Sequence, residues 1–128
     1  MLLPINEYQR KLYEKIKEIG YKVFDEVPAD EELPLVTISD YTLEEGSTKN
    51  DDYIFTQKID IYSLYEGKKQ VNEMASNVIA KVKEVANTDL NKNYFIDYVK
   101  LDESNITRLE DGLYVASLSF KINIGEVE

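Results

Sequence analysis

The sequence predicts an α+β domain in which a mainly antiparallel sheet of about five strands packs two helices on one face. Two long segments repeat apolar residues at helical spacing, and five shorter segments alternate apolar with polar residues. Asp111 and Gly112, directly before the last of these strands, form a turn signal typical of an antiparallel hairpin. The elements follow in the order α-β-β-β-α-β-β. A length of 128 residues suits one domain covering residues 1–128.

The first helix is predicted over residues 6–19, with Asn6 as its N-terminal cap and Gly20 as a left-handed C-terminal cap. A short strand is expected next, at residues 21–24. The apolar stripe of the helix has spacings of four, four and three residues: Tyr8, Leu12, Ile16 and Ile19.

Two polar loops separate the next strands. Residues 25–34 contain two prolines and five acidic residues, so they predict a loop before a strand at residues 35–41. Residues 43–52 are rich in acidic and turn-forming residues and predict a second loop. Residues 53–63 then alternate as a strong strand, one face of which is half polar.

The second half of the chain predicts a helix at residues 68–86 and two further strands. These strands are expected at residues 94–101 and 113–124, with a short ordered piece around Ile106 between them. The last of these strands would be about 40 Å long, whereas a usual strand of about five or six residues is about 17–20 Å long. We therefore expect it to be strongly twisted, bulged or paired partly with another subunit.

Composition excludes several classes of function. The net charge is −10, from 15 basic and 25 acidic residues, so generic binding of nucleic acid or of an anionic membrane is disfavoured. The chain has no Cys and no His, which removes disulfides, thiolate chemistry and the commonest metal ligand and general base. No apolar stretch is long enough to span a membrane, and no basic leader of a signal peptide opens the chain.

The sequence predicts no catalytic, cofactor-binding or metal-binding residues, and therefore no enzyme. Paired carboxylates are abundant, but they lie in hydrophilic segments and are interpreted as solvated loops. The acidic loop from Glu44 to Asp52 has oxygen ligands of the kind that calcium prefers, but it lacks the EF-hand pattern, so no calcium site is predicted there. No phosphate-binding or nucleophile motif occurs.

Several short stretches of the chain, together with the order in which they follow one another, resemble the tail-completion, or tail-terminator, proteins of long-tailed bacteriophages and prophages. The resemblance covers nearly the whole chain and rests on pattern and spacing. The matching stretches are residues 20–24 (GYKVF), 25–28 (DEVP), 33–38 (LPLVTI), 57–63 (QKIDIYS), 66–69 (EGKK), the helix at 71–85, and 113–122 (LYVASLSFKI).

The resemblance implies a structural protein of the virion rather than an enzyme. It implies a homo-oligomeric ring, expected to be a hexamer, at the head-proximal end of the tail tube. The ring would stop tube growth and join the tail to the head, so its partners would be the tail-tube protein and a head-completion or neck protein. DNA would pass through the lumen without specific binding. The protein would reside in the host cytoplasm during assembly and at the tail–head junction afterwards.

Two groups of residues are candidates for assembly. The polar loop after the second strand provides a candidate assembly loop: Glu44, Glu45, Lys49, Asp51 and Asp52. The half-polar face of the third strand provides a candidate inter-subunit strand: Lys58, Asp60 and Tyr62. Two alternatives stay open, namely a neck or head-closure connector, and a small-molecule-binding or carboxylate-only enzymatic domain with a concave apolar pocket and convergent acids.

Overall fold

A computed structural model of the protein describes residues 2–46, 52–64 and 67–127. Within them lie two α-helices, six strands and one 3₁₀ turn. In chain order the elements are α1 (Ile5–Lys17), β1 (Val23–Phe24), β2 (Leu35–Glu45), β3 (Asp52–Ser63), α2 (Lys69–Lys83), β4 (Thr88–Asp89), β5 (Tyr94–Arg108), the 3₁₀ turn (Glu110–Gly112) and β6 (Tyr114–Glu126).

The six strands form one sheet in the order β1-β2-β3-β6-β5-β4. β1 runs parallel to β2, and every other neighbouring pair is antiparallel. β3 and β6 form the centre and pair along their whole length, from Asp52 opposite Gly125 to Ser63 opposite Tyr114. The predicted mainly antiparallel α+β fold is confirmed.

Both helices pack against one face of this sheet. α1 buries Tyr8, Leu12 and Ile16, and α2 buries a second stripe that includes Val78. Alternate residues of the central strands complete the same core, because side chains in a strand point to opposite faces in turn. We call the opposite sheet face the open face, since in the described part of the chain no helix lies over it.

Two strands are longer than predicted. β2 continues to Glu45 and β5 continues to Arg108, where the sequence predicted ends at residues 41 and 101. The added residues are mostly polar and exposed, so they show no apolar alternation, yet their backbones still pair with β3 and β6. Backbone pairing does not need buried side chains, which is why the periodicity missed these extensions.

The last strand needs no second subunit to account for its length. β6 pairs with β3 on one side and with β5 on the other over almost its whole extent. The register of β5 against β6 shifts by one residue between Ile96 and Tyr98 and again between Leu101 and Glu103, as a β-bulge produces. Asp111 and Gly112 both have positive φ in the turn that joins the two strands, as the predicted hairpin requires.

The two predicted caps of α1 have different outcomes. Gly20 has a φ of +103°, as expected for the glycine that follows a helix. Asn6 does not cap α1, because the helix begins at Ile5 and its cap position, Pro4, makes no side-chain hydrogen bond. Pro4 fits a helix start because it lacks the N–H that the first turn leaves unpaired.

A buried polar pair joins α1 to the sheet. The Tyr8 hydroxyl donates a 2.8 Å hydrogen bond to Gln57 Oε1, and the Tyr8 ring stacks on Phe55 at 3.9 Å between centroids. The Gln57 amide in turn donates to the carbonyls of Lys58 and Ser39 at 2.9 and 3.2 Å. Ser39 lies in the β2 bulge, so Gln57 satisfies a carbonyl at the point where the ladder is interrupted.

We expect Tyr8→Phe to make stability less sensitive to alkaline pH. Burial, and then the neighbouring Tyr41, raises the pKa of Tyr8 well above the ordinary tyrosine value of 10.0. As pH rises, the unfolded chain therefore loses the Tyr8 proton before the folded protein does. The contribution of this hydroxyl to the free energy of unfolding is complete below pH 10 and is lost as pH rises toward the pKa of the folded state. Chemical denaturation across that range should show a shallower decline for Tyr8→Phe. The same decline in Tyr8→Phe and in the exposed control Tyr98→Phe would contradict this account.

Candidate assembly surfaces

The open face is a polar surface tied together by cross-strand hydrogen bonds. Ser39 Oγ on β2 donates to Asp60 Oδ2 on β3 at 2.9 Å. Lys121 Nζ on β6 donates to Thr56 Oγ1 on β3 at 3.3 Å. Because these bonds join three neighbouring strands, they hold the open face in one shape without a helix over it.

The middle of the open face holds a shallow depression of about 360 Å³. Its polar lining includes Lys58, Asp60, Glu103 and Asn105, so both signs of charge are present. Two predicted inter-subunit residues, Lys58 and Asp60, thus lie together with residues of β5 that the sequence did not single out. Mixed charges around a shallow depression suit contact with another polar protein surface better than capture of an apolar ligand.

Tyr62 lies at an apolar end of the same face. In the ladder it stands between Leu35 and Val115, the first fully buried and the second half-buried. Partial burial and the nearby Asp60 carboxylate raise the pKa of the Tyr62 hydroxyl, against a hydrogen bond with Thr37 that lowers it. A half-buried tyrosine with an apolar body and a polar tip is the type of side chain enriched at protein interfaces.

The backbone of β3 is fully engaged within the chain, with β2 on one side and β6 on the other. Strand addition by a neighbouring subunit along residues 53–63 is therefore not available. Lys58, Asp60 and Tyr62 can contribute to assembly only through their side chains on the open face. Their role as inter-subunit residues stays a prediction.

The residues of the candidate assembly loop lie in three places. Glu44 and Glu45 are the exposed last residues of β2 rather than part of a loop. Asp52 begins β3 and accepts a 2.9 Å hydrogen bond from Asn123 Nδ2. Lys49 and Asp51 lie outside the described residues. The role of the group in assembly also stays a prediction.

The two outer strands of the sheet leave long backbone edges uncovered. Among the described residues, β1 reaches only Val36 and Thr37 on β2, and β4 reaches only Phe95 and Ile96 on β5. Residues 38–45 of β2 and 97–108 of β5 therefore have strand neighbours on one side only. Sequence reasoning missed both edges, because alternation predicts which segments are strands but not which strands lie outermost.

The outward face of the helices carries a four-membered ion-pair network. Lys15 Nζ lies 3.4 Å from Glu84 Oε1, and Lys81 Nζ lies 3.2 Å from Glu18 Oε1. The pairs within each helix complete the cycle at 3.8 and 3.6 Å. Each exposed ion pair of this kind contributes little to the stability of the fold. Because two of the pairs join α1 to α2, we interpret the network as fixing how the two helices lie side by side.

Chemical sites are scarce in the part of the chain that the structure describes. There, no three acidic residues cluster as metal ligands, and no helix is long and apolar enough to cross a bilayer. A second depression, of about 370 Å³, lies where α1 meets β1 and is lined by residues such as Tyr13, Lys17 and Phe24. Neither depression combines apolar walls with convergent acids, the arrangement that the small-molecule alternative requires.

Comparison with known proteins gives a likeness of fold. No family model and no curated protein matches the chain. A chain in the solved structure described as "Virion of native gene transfer agent (GTA) particle" superposes with a TM-score of 0.71 at 16% identity. The match covers 91% of this chain and 92% of that chain. Nearly the entire domain therefore shares its fold with a chain of that particle.

Proposed function

We propose that this protein is a structural subunit of a tailed phage or phage-like particle and that it acts there as a tail terminator. In this role it forms a homo-oligomeric ring, expected to be a hexamer, at the head-proximal end of the tail tube. The ring ends tube growth and provides the surface to which the head, through a completion or neck protein, is joined. The activity is one of assembly, and no catalytic step is part of it.

One observation carries the proposal: the fold likeness to a chain of the gene transfer agent virion extends over 91% of this chain. A match across nearly the whole of both chains leaves little room for an additional domain in either of them. The resemblance of residues 57–63 and 113–122 to tail-terminator proteins then selects the tail end within a virion. These two stretches lie in β3 and β6, the two central strands of the sheet.

The charge of the chain suits a ring through which DNA passes. A net charge of −10 repels phosphate at distances within a Debye length of about 8 Å at physiological salt. The open face carries charges of both signs, with Lys58, Lys100 and Lys121 near Asp60 and Glu103, so it does not provide a uniformly acidic lining. We infer that the acidic segment at residues 25–32 turns toward the bore and supplies its negative lining.

The proposal is tested by co-expression of the chain with the tail-tube and neck proteins of the same phage or prophage. We expect the chain to co-purify with tubes and to form a ring at one tube end in negative-stain images. Co-purification with the neck protein alone, without any tube contact, would instead assign it to head closure. A chain that stays monomeric and binds neither partner would contradict a structural role in the tail.

We expect deletion of residues 46–50 to impair assembly without unfolding the domain. Glu45 at the end of β2 lies opposite Tyr53 of β3, so the two strands meet next to the deleted segment, and Asp51 and Asp52 remain as a two-residue connection. A shorter connection across such a closed pair leaves the sheet intact. Thermal melting should be close to that of the wild type, whereas attachment to tubes should fall severalfold. Unchanged attachment would refute the role of this loop.

A further inference from the structure

Among residues 2–46, 52–64 and 67–127, the backbone edges of β2 and β5 that no strand covers are the strongest unexplained feature. Each exposes a row of backbone N–H and C=O groups, which is a template for pairing with another strand. Natural proteins usually shorten or cover such edges, whereas here the covering strands β1 and β4 have two residues each. The edges lie on opposite sides of one sheet, so one copy presents both halves of a possible joint.

The strand directions fit a joint between copies that share one orientation. β2 and β5 run in opposite directions, because β2 is antiparallel to β3, β3 to β6, and β6 to β5. When a copy is rotated about an axis along the strands, its β2 comes beside β5 of the next copy with antiparallel polarity. Such a contact is heterologous, and it closes into a ring when the rotation divides a full turn.

The covering strands also indicate the register of the joint. If two neighbouring copies were not displaced along the strand axis, Glu44 of one copy would lie opposite Tyr98 of the next. In that arrangement β1 of the first copy would collide with β5 of the next near Asn105. A shift of about two residues keeps every side chain on its own face and moves β1 to the last two residues of β5, Thr107 and Arg108, so the joint covers β5 only as far as Ile106. Closure of a sheet requires stagger of this kind. The shifted register places Glu44 opposite Lys100.

That register brings one apolar pair and one pair of opposite charges together across the joint. On the face of the sheet toward the helices, half-buried Leu43 meets half-buried Leu101. On the open face, exposed Glu44 meets exposed Lys100. The free part of β2, residues 38–45, has three acids and no base, whereas residues 97–108 of β5 have three acids and two bases, so the attraction depends on bringing an acid of β2 to a base such as Lys100.

From these observations we propose that residues 38–45 of one copy pair antiparallel with the free edge of β5 in the next copy, with Glu44 opposite Lys100. The occupant of each edge is thus a second copy of this chain, and the sheet becomes continuous around the ring. The inference rests on the proposed ring and adds which strands join its subunits.

The direct test is disulfide cross-linking of a Glu44→Cys/Lys100→Cys double variant under assembly conditions. The chain has no Cys, so every bridge must come from the introduced pair. Within one copy the two edges are separated by three strand spacings, about 14 Å, which is too far for a disulfide. We expect oxidation to give a ladder of covalent oligomers that ends at the ring size. The control Glu44→Cys/Ser76→Cys, with Ser76 exposed on α2, should give no ladder.

The outcomes separate this inference from the proposed function. Rings that form without a ladder, or with an equal ladder in the control, would overturn the edge pairing and leave the ring intact. A monomer under every condition, including with tubes present, would overturn both.

Charge reversal supplies an independent readout of the same joint. We expect Glu44→Lys alone and Lys100→Glu alone each to lower ring yield severalfold, because like charges then face each other across the joint. The double exchange Glu44→Lys/Lys100→Glu should restore most of the yield. Equal loss in the single and double variants would contradict the proposed register.

Discussion

Phe120→Asp is expected to abolish folding of the domain. Phe120 is fully buried in β6, the central strand, and lies opposite Gln57 of β3 and Leu101 of β5. The substitution removes a large apolar side chain, at a cost of about 3–5 kcal/mol for the lost packing alone. It also places a carboxylate where no positive partner exists among the described core residues. The sum is comparable with the whole stability of a typical domain, about 5–15 kcal/mol.

Circular dichroism and thermal melting of purified Phe120→Asp provide the measurement, with Ser119→Asp as the matched control. Ser119 is the preceding residue on the same strand, but it lies half-buried on the open face opposite Lys58. We expect a folded control with a melting temperature near that of the wild type and no cooperative transition for Phe120→Asp. A cooperative melt close to wild type in Phe120→Asp would mean that the core face of β6 is assigned wrongly.

Val78→Asp is expected to have the second-largest effect, because it detaches α2 from the sheet. Val78 is fully buried in α2, the helix that contacts β3, β6 and β5 as well as α1. A charge at this position would have to be desolvated against the central strands or would force the helix away from them. We expect loss of the folded state or a loss of several kcal/mol in unfolding free energy.

Urea denaturation distinguishes this effect from a weakened helix. Ser76→Asp places the same residue two positions earlier on the exposed side of α2, where it should change stability little. The comparison therefore isolates burial from helix propensity. A similar midpoint for Val78→Asp and Ser76→Asp would contradict the packing of α2 on the sheet.

The apolar periodicity was sufficient to predict the layers of the fold. The stripe that includes Tyr8, Leu12 and Ile16 forms the buried side of α1, and the predicted stripe of α2 is buried in the same way. The predicted hairpin turn at Asp111 and Gly112 joins β5 to β6. These features depend on short-range sequence patterns and on the burial of one face, which a single sequence reports directly.

Strand order and strand ends could not be predicted in the same way. β4 has two residues, Thr88 and Asp89, which is too short for any alternation to be visible. The extension of β5 through residues 102–108 is mostly polar because its side chains are exposed. Which strand neighbours which depends on contacts between distant segments, so the free edges emerged only from the three-dimensional pairing.

The candidate site was predicted in part. Lys58 and Asp60 do share a surface, and Tyr62 lies on the same face, as alternation from residue 53 to residue 63 implied. The sequence also suggested that this strand could pair with a neighbouring subunit, whereas its backbone is paired on both sides within the chain. The sequence predicts Glu44 as part of a polar loop, whereas it lies in β2 on a strand edge, where Lys100 of a neighbouring copy is its proposed partner.

The central claim is that this protein ends the tail tube and joins it to the head. The most direct measurement is electron microscopy of particles from a phage or prophage strain in which only this gene is deleted. The account predicts tubes that grow beyond their normal length and remain unattached to heads, with normal particles restored by the wild-type gene supplied in trans. Tails of normal length that are attached to filled heads in the deletion strain would contradict it.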